Sequence, residues 1–162
     1  MRPKSKKPDK PAERNVAQNR AASYNYHLLE KYEAGMVLLG TEVKALREGK
    51  ANLREAYAVV RGNAVWLLHC HISEYLPGGP FKHQPLRPRK LLLNQSEIAK
   101  LSGKTQQKGL TLVPLRIYFR DGIAKCEIAV ARGKKQHDRR QAECEKEARR
   151  EASEAIYRYR RR

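Results

Sequence analysis

The chain has 162 residues, enough for one domain of roughly 100 to 130 residues plus tails. Its 35 Lys and Arg outnumber 17 Asp and Glu, so the net charge is +18, spread as +5 over residues 1–20, +7 over 21–131 and +6 over 132–162. A body and two tails that are all basic point to phosphate as the partner; no run nears the ~18 apolar residues of a membrane span, and Met1 to Lys10 lack the apolar stretch of a secretory leader.

Residues 1–18 are rich in Lys and Pro and are expected to be a disordered basic arm. The domain is expected over 19–131. Tyr24 to Tyr32 is rich in aromatic residues and suits a strand, which Gly35 breaks, and Met36 to Leu39 is a second apolar run. Gly40 to Arg47 predicts a helix, with Thr41 as its N-cap and Gly49 just past its end. Ala58-Val59-Val60 and Ala64 to Leu68 flank Arg61-Gly62-Asn63, a hairpin signal. Residues 75–88 carry several prolines and predict a long irregular loop of the kind that is often functional. Asn94 and Glu97 form a capping-box pattern ahead of a helix with Ile98 and Leu101 inward, weakening at Ser102-Gly103.

The clearest element is a final hairpin. Val113, Leu115, Ile117 and Phe119 alternate with Pro114, Arg116, Tyr118 and Arg120; Asp121-Gly122 is a type I′ turn signal; Ala124, Cys126, Ile128 and Val130 then alternate again. Period-two alternation predicts one buried and one wet face, the wet face showing Arg116, Tyr118 and Arg120. Residues 132–162 are a basic tail with almost no large apolar side chains, so it is expected to be disordered when free. Asp138 to Tyr159 can form a helix with Glu145/Arg149 and Glu154/Arg158 pairs, but one that is marginal alone. The whole predicts a mainly β chain with short helices (α+β), folded as a small OB-like closed β-barrel with a basic C-terminal tail.

Few residues suggest catalysis. Cys70, Cys126 and Cys144 are odd in number and far apart, with no C-x-x-C, which reads as reduced thiols in a cytoplasmic protein. His69 and His71 would share one face of a strand, but no thiol or carboxylate sits at ligand spacing nearby, so no metal or other cofactor is expected. Gly103-Lys104-Thr105 lacks the first glycine of a P-loop. The stronger constellation is basic and aromatic: Lys and Arg for phosphates, with Tyr24, Tyr26, Trp66, Tyr118 and His137 as candidate stacking residues. For Tyr26 and Trp66 a core position is the competing reading.

Several segments together resemble one family. Asn19-Arg20-Ala21, Tyr32-Glu33-Ala34-Gly35, Gly40 to Arg47, Lys50 to Leu53, Arg89-Lys90-Leu91-Leu92-Leu93, Gly109 to Leu115 and Gly133 to Arg140 follow the order and spacing of the SsrA-binding proteins, SmpB. The resemblance implies an OB-like barrel that binds the tRNA-like domain of transfer-messenger RNA (tmRNA). It implies entry into stalled ribosomes with elongation factor Tu, the tail lying in the empty mRNA channel against small-subunit rRNA. It also implies a protein that is not an enzyme, acts as a monomer and stays off membranes. Asn19, Arg20, Tyr24, Glu33, Arg89, Lys90 and Leu92 fall at candidate tmRNA-binding positions, with a core role open for Leu92. Lys134, Lys135, His137, Asp138, Arg139 and Arg140 fall in the motif expected near the decoding centre. Ala21-Ala22-Ser23 is less basic than the family pattern. The alternatives are a general OB-fold RNA-binding or ribosome assembly factor and, in another class, an enzyme using the His69/His71 face.

Overall fold

The computed structural model describes residues 13–78 and 82–160. The described elements run β1 (Arg14–Gln18), α1 (Arg20–Asn25), β2 (Tyr26–Met36), α2 (Gly40–Arg47), β3 (Ala51–Asn52), β4 (Tyr57–Arg61), β5 (Ala64–Leu68) and β6 (His71–Ile72). After a 3-10 turn at Leu76–Gly78 come β7 (Arg89–Leu92), α3 (Gln95–Thr105), β8 (Leu110–Arg120), β9 (Ile123–Gly133) and α4 (Gln136–Arg160). The protein is mainly β with a few helices.

All pairings are antiparallel. The large sheet runs β1-β8-β4-β5-β7-β2-β9, and β9 pairs again with β8. Each strand from β8 through β4, β5, β7, β2 and β9 is therefore bonded to the next, and the last returns to the first. β3 and β6 pair separately. The main core lies among these strands, with Ala34, Leu46, Val65, Leu67, Leu91, Leu101, Leu112, Ile117, Cys126 and Ile128 all nearly inaccessible.

The two hairpins form as expected. Gly62 has φ of 58° in the β4–β5 turn, and Asp121 and Gly122 have φ of 52° and 77° in the β8–β9 turn, the left-handed pair a type I′ turn needs. α3 keeps Ile98 and Leu101 buried and runs on through Ser102-Gly103 to Thr105. The Asn94 backbone N–H donates to Glu97 Oε2 at 3.0 Å, the backward half of a capping box. α2 uses the same device from Leu39, whose N–H donates to Glu42 Oε2 at 2.8 Å, so Leu39 and not Thr41 is its N-cap. The Thr41 hydroxyl instead lies 2.9 Å from His83 Nδ1.

Four further features depart from the expectations. First, Arg14–Gln18 is not part of a disordered arm. It pairs with β8, from Arg14 opposite Phe119 to Gln18 opposite Arg116; residues 1–12 lie outside the described part. Second, Arg20–Asn25 is a helix, and the following strand begins only at Tyr26.

Third, β8 has no wet face over most of its length. A β-bulge at Leu115, between the Pro114–Ile128 and Arg116–Glu127 pairs, shifts its phase. Leu112 and Ile117 are an odd number of residues apart yet both enter the main core. Val113 turns to the opposite face, where Ala22 of α1 and Ala131 of β9 cover it, with Tyr26, Leu28 and Leu115 packed around. Fourth, the tail helix spans Gln136–Arg160, starting earlier than the Asp138 expected. Among the described residues no helix is long and apolar enough to cross a membrane.

Candidate nucleic-acid interface

The expected site residues fall into three neighbouring groups. The first surrounds Asn19, which ends β1 and begins α1. β8 meets β4 near Leu112 and β1 from Arg116 onward, so its edge changes partner at Pro114-Leu115. Asn19 fills that seam. Its backbone N–H donates to Leu115 O at 2.8 Å, and its Nδ2 donates to Leu53 O and Pro114 O, both at 3.2 Å. The Asn19 amide thus binds the protein itself and fixes where α1 starts. Beside it opens a groove of about 510 Å³ with Arg20, Ser23, Lys31, Arg116 and Asn15 on its walls. Three cations face one carboxylate, Glu127, in this groove.

The second group centres on Glu33 of β2. Lys125 Nζ donates to Glu33 Oε1 at 2.5 Å, the Tyr118 hydroxyl donates to Oε2, and Arg120 Nη1 lies 2.7 Å from Oε2. The Lys125 ammonium first, and then the Tyr118 hydroxyl, hold the Glu33 carboxyl below the usual range. Tyr118 lies on the face expected for it but is only 1% exposed. The guanidiniums of Arg116 and Arg120 cover its ring, at 4.4 and 5.5 Å from the centroid. That stripe therefore presents arginines rather than an open aromatic face. Burial and the bond to Glu33 push the Tyr118 phenol up to about 12.

Glu13 bridges Arg116 and Arg120, and Glu127 bridges Arg116 and Lys31. Burial raises the Glu127 pKa, but Arg116 and Lys31 outweigh it and leave the carboxyl low. Chains of ion pairs thus connect Glu33 to the groove beside Arg20.

Next to Glu33 on β2, Gly35 pairs with Leu92 of β7. Leu92 is 53% exposed, so it is a surface residue and not core. Lys90, two residues before it, is exposed and pairs with half-buried Trp66. Arg89 does not join this face. It is 0% exposed, and its guanidinium donates to Glu42 Oε1, Cys70 O, Arg87 O and Pro85 O. Alternation along β7 explains the difference: Arg89 and Leu91 point in, Lys90 and Leu92 out. Arg87, half-buried, joins them from the loop with its Nε 2.7 Å from Glu42 Oε1. Burial raises the Glu42 pKa, and Arg87 together with the Leu39 N–H more than reverses that. Two further bonds pin the irregular loop: His83 Nε2 donates to Ile72 O at 3.2 Å, and the Ile72 N–H donates to Pro85 O at 3.1 Å.

The third group is the root of the tail. Lys134 bonds twice to α1: its N–H donates to Asn25 O at 2.9 Å and its Nζ to Ser23 O at 3.0 Å. Asp138 Oδ2 accepts from the Lys135 N–H at 3.2 Å, closing the first turn of α4, and lies 3.5 Å from His27 Nε2. The Tyr24 hydroxyl donates to Glu143 Oε1 at 2.7 Å. Arg140 is exposed on α4, and His137 and Arg139 lie in its first turns.

His69 and His71 do not share a strand face. His69 has φ of 54°, sits between β5 and β6, and stacks its ring on Tyr57 at 5.4 Å. Among the described residues, no group of three His, Cys, Asp or Glu could hold a metal.

Sequence reasoning missed Lys31, Lys125, Glu127 and Glu13 as part of this face. Two of them were within reach. A type I′ turn at Asp121-Gly122 dictates that Tyr118 faces Lys125 and Arg116 faces Glu127. Lys31 and Glu13 arrive through long-range pairing and leave no local signal.

A mainly β domain with a cationic groove, an arginine-covered strand and a basic helical tail defines a protein built to hold a polyanion. The comparisons give it a family. The family model described as SmpB protein matches residues 16–158, and the chain belongs to that family. It is 53% identical over 143 residues to the SsrA-binding protein of Desulforudis audaxviator, covering 88% of this chain and 94% of that one. It is 51% identical over 158 residues to the SsrA-binding protein of Thermobifida fusca, covering 97% and 99%. A solved structure described as "tmRNA-SmpB: a journey to the center of the bacterial ribosome" aligns with a TM-score of 0.63 at 47% identity, over 74% of this chain and 84% of that chain.

Proposed function

We propose that this protein binds the tRNA-like domain of tmRNA and delivers it to stalled ribosomes for trans-translation. One observation carries the reading beyond family membership. The Leu92/Lys90 surface, the Glu33 cluster, the groove beside Arg20 and the root of the tail follow one another through shared strands and ion pairs. A structured RNA held on that face therefore lies next to the start of the tail, residues 132–162, which carries a net +6.

In this reading the ring of strand pairings is a closed OB-like barrel, which removes free sheet edges and gives the RNA a rigid platform. Arg20, Lys90 and Lys125 supply phosphate contacts, and Glu33 and Tyr24 offer polar groups to bases or 2′-hydroxyls. Leu92 packs on an unstacked base. Asn19 acts by placing α1, and Arg89 by holding the β7 strand that carries Lys90 and Leu92. Lys134, Lys135, His137, Asp138, Arg139 and Arg140 sit near the decoding centre, against small-subunit rRNA. The helix beyond the root has little apolar surface and is stabilised in the mRNA channel. Elongation factor Tu joins through tmRNA. The protein works in the cytoplasm as a monomer and catalyses no reaction of its own.

The test is a band-shift titration with the isolated tRNA-like domain at physiological salt. Affinity well above that for an unrelated hairpin RNA is expected; equal affinities would leave only the general RNA-binding factor. Truncation after Ala131 is expected to keep this binding and abolish tagging on stalled ribosomes.

A further inference from the structure

Of the aromatic residues expected to stack on bases, Tyr118 lies beneath two guanidiniums and Tyr26 packs with Val113 and Ala131. Trp66 differs from both. It is half-buried and belongs to neither core cluster, and among the described residues its ring has no aromatic or cationic partner. Alternation along β5 gives the reason: Val65 and Leu67 enter the core, so Trp66 stands on the outer face of the sheet. Its cross-strand neighbours there are Lys90 of β7 and Val59 of β4.

The surroundings of Trp66 suit an anion that carries flat apolar groups. β4, β5 and β7 contain no Asp or Glu. Lys90 and Arg61 are exposed, and among the described residues neither is in an ion pair, whereas Lys31, Arg116, Arg120 and Lys125 all are. Those four must give up a carboxylate to take a phosphate, a near-neutral exchange; Lys90 and Arg61 need not. Leu92 continues the apolar surface toward β2, resting over Gly35, where a Cβ would meet its own at 3.4 Å. We propose that Trp66 is a base-stacking residue: the RNA footprint extends from Leu92 across Lys90 to β5, where the indole takes an unpaired base while Lys90 and Arg61 hold neighbouring phosphates. The inference rests on the RNA reading above and adds to it a contact surface on the far side of β7 from Glu33.

Trp66 is the single tryptophan of the chain, so its emission can be excited apart from that of the eight tyrosines. Titrating the full chain with the isolated tRNA-like domain is expected to quench Trp66 and to shield it from acrylamide, over the same concentrations as the band shift. Trp66→Leu, which keeps an apolar side chain but no ring face, should bind this RNA about 5-fold to 150-fold more weakly. Trp66→Phe should retain most of the affinity. The circular dichroism of both variants should match that of the parent.

Selective RNA binding that leaves the emission of Trp66 and its access to acrylamide unchanged overturns the inference, spares the RNA reading and leaves this face to another partner. A folded Trp66→Leu that binds as tightly as the parent does the same, as does a folded Trp66→Phe that loses as much as Trp66→Leu, since no ring face is then in use. Should Trp66→Leu fail to fold, the emission of the parent decides. Absence of selective binding in the band shift defeats the RNA reading and this inference together.

Discussion

Arg89 and Lys90 are neighbours on one strand with opposite fates. Lys90 stands in solvent; Arg89 is enclosed with Glu42, and neither partner has exposed surface. Removing Arg89 leaves Glu42 held by Arg87 alone and takes a donor from Cys70 O, Arg87 O and Pro85 O, a loss of about 3–5 kcal/mol. Arg89→Ala is therefore expected to lower unfolding free energy by that amount in a urea titration. Lys90→Ala should leave stability within about 0.5 kcal/mol and weaken RNA binding instead. Tyr118 gives a second test at this scale. Its phenol should ionise near 12 rather than at its ordinary value near 10, followed by ultraviolet absorbance. Because the folded value is raised, the bond to Glu33 stabilises the fold fully below pH of about 10 and is lost as pH climbs to about 12. Glu33→Gln should move the titration downward, since the carboxylate is one of the two main causes of the shift.

At the scale of elements, the β8–β9 hairpin, the β4–β5 hairpin and α3 were legible because their determinants are local: a left-handed turn pair, period-two alternation, a capping glutamate. α3 earns its place by Ile98 and Leu101. Leu101→Ala should cost about 2–5 kcal/mol in the same urea titration, since Leu101 is fully buried. α1 and β1 were not legible. α1 has six residues, too few to show a period, and it is held by docking Ala22 onto Val113 and Ala131. β1 lies next to a Lys/Pro-rich run and exists because the free edge of β8 accepts it. The bulge at Leu115 was equally silent. Pro114 lacks an N–H and so hints at irregular pairing, but only the packed sheet tells which residue is extra.

For the molecule as a whole, the charge of +18 sets the terms of association. Each phosphate neutralised steepens the fall of log affinity with log salt by about 0.7 to 0.9. The slope for the tRNA-like domain is expected to be nearly the same before and after truncation at Ala131. The slope for small-subunit rRNA should become shallower by several such steps, because residues 132–162 carry a net +6. Filter binding across a salt series checks both; an equal loss of slope for the two RNAs would place the tail on tmRNA.

By itself the sequence determined the charge, the two hairpins, the helix at Gln95–Thr105, the basic tail and the family resemblance, all of which are composition, local propensity or residue order. It also named Glu33 and Leu92 as candidate RNA-binding positions, through that resemblance. Only the tertiary structure decided that Arg89 is buried while Leu92 is exposed, that Asn19 bonds its own backbone, and that Tyr118 lies beneath two arginines. These depend on which strands meet and on one extra residue in β8. A strand's alternation says that neighbours point to opposite sides, but which side faces the core is settled by packing between segments distant in sequence.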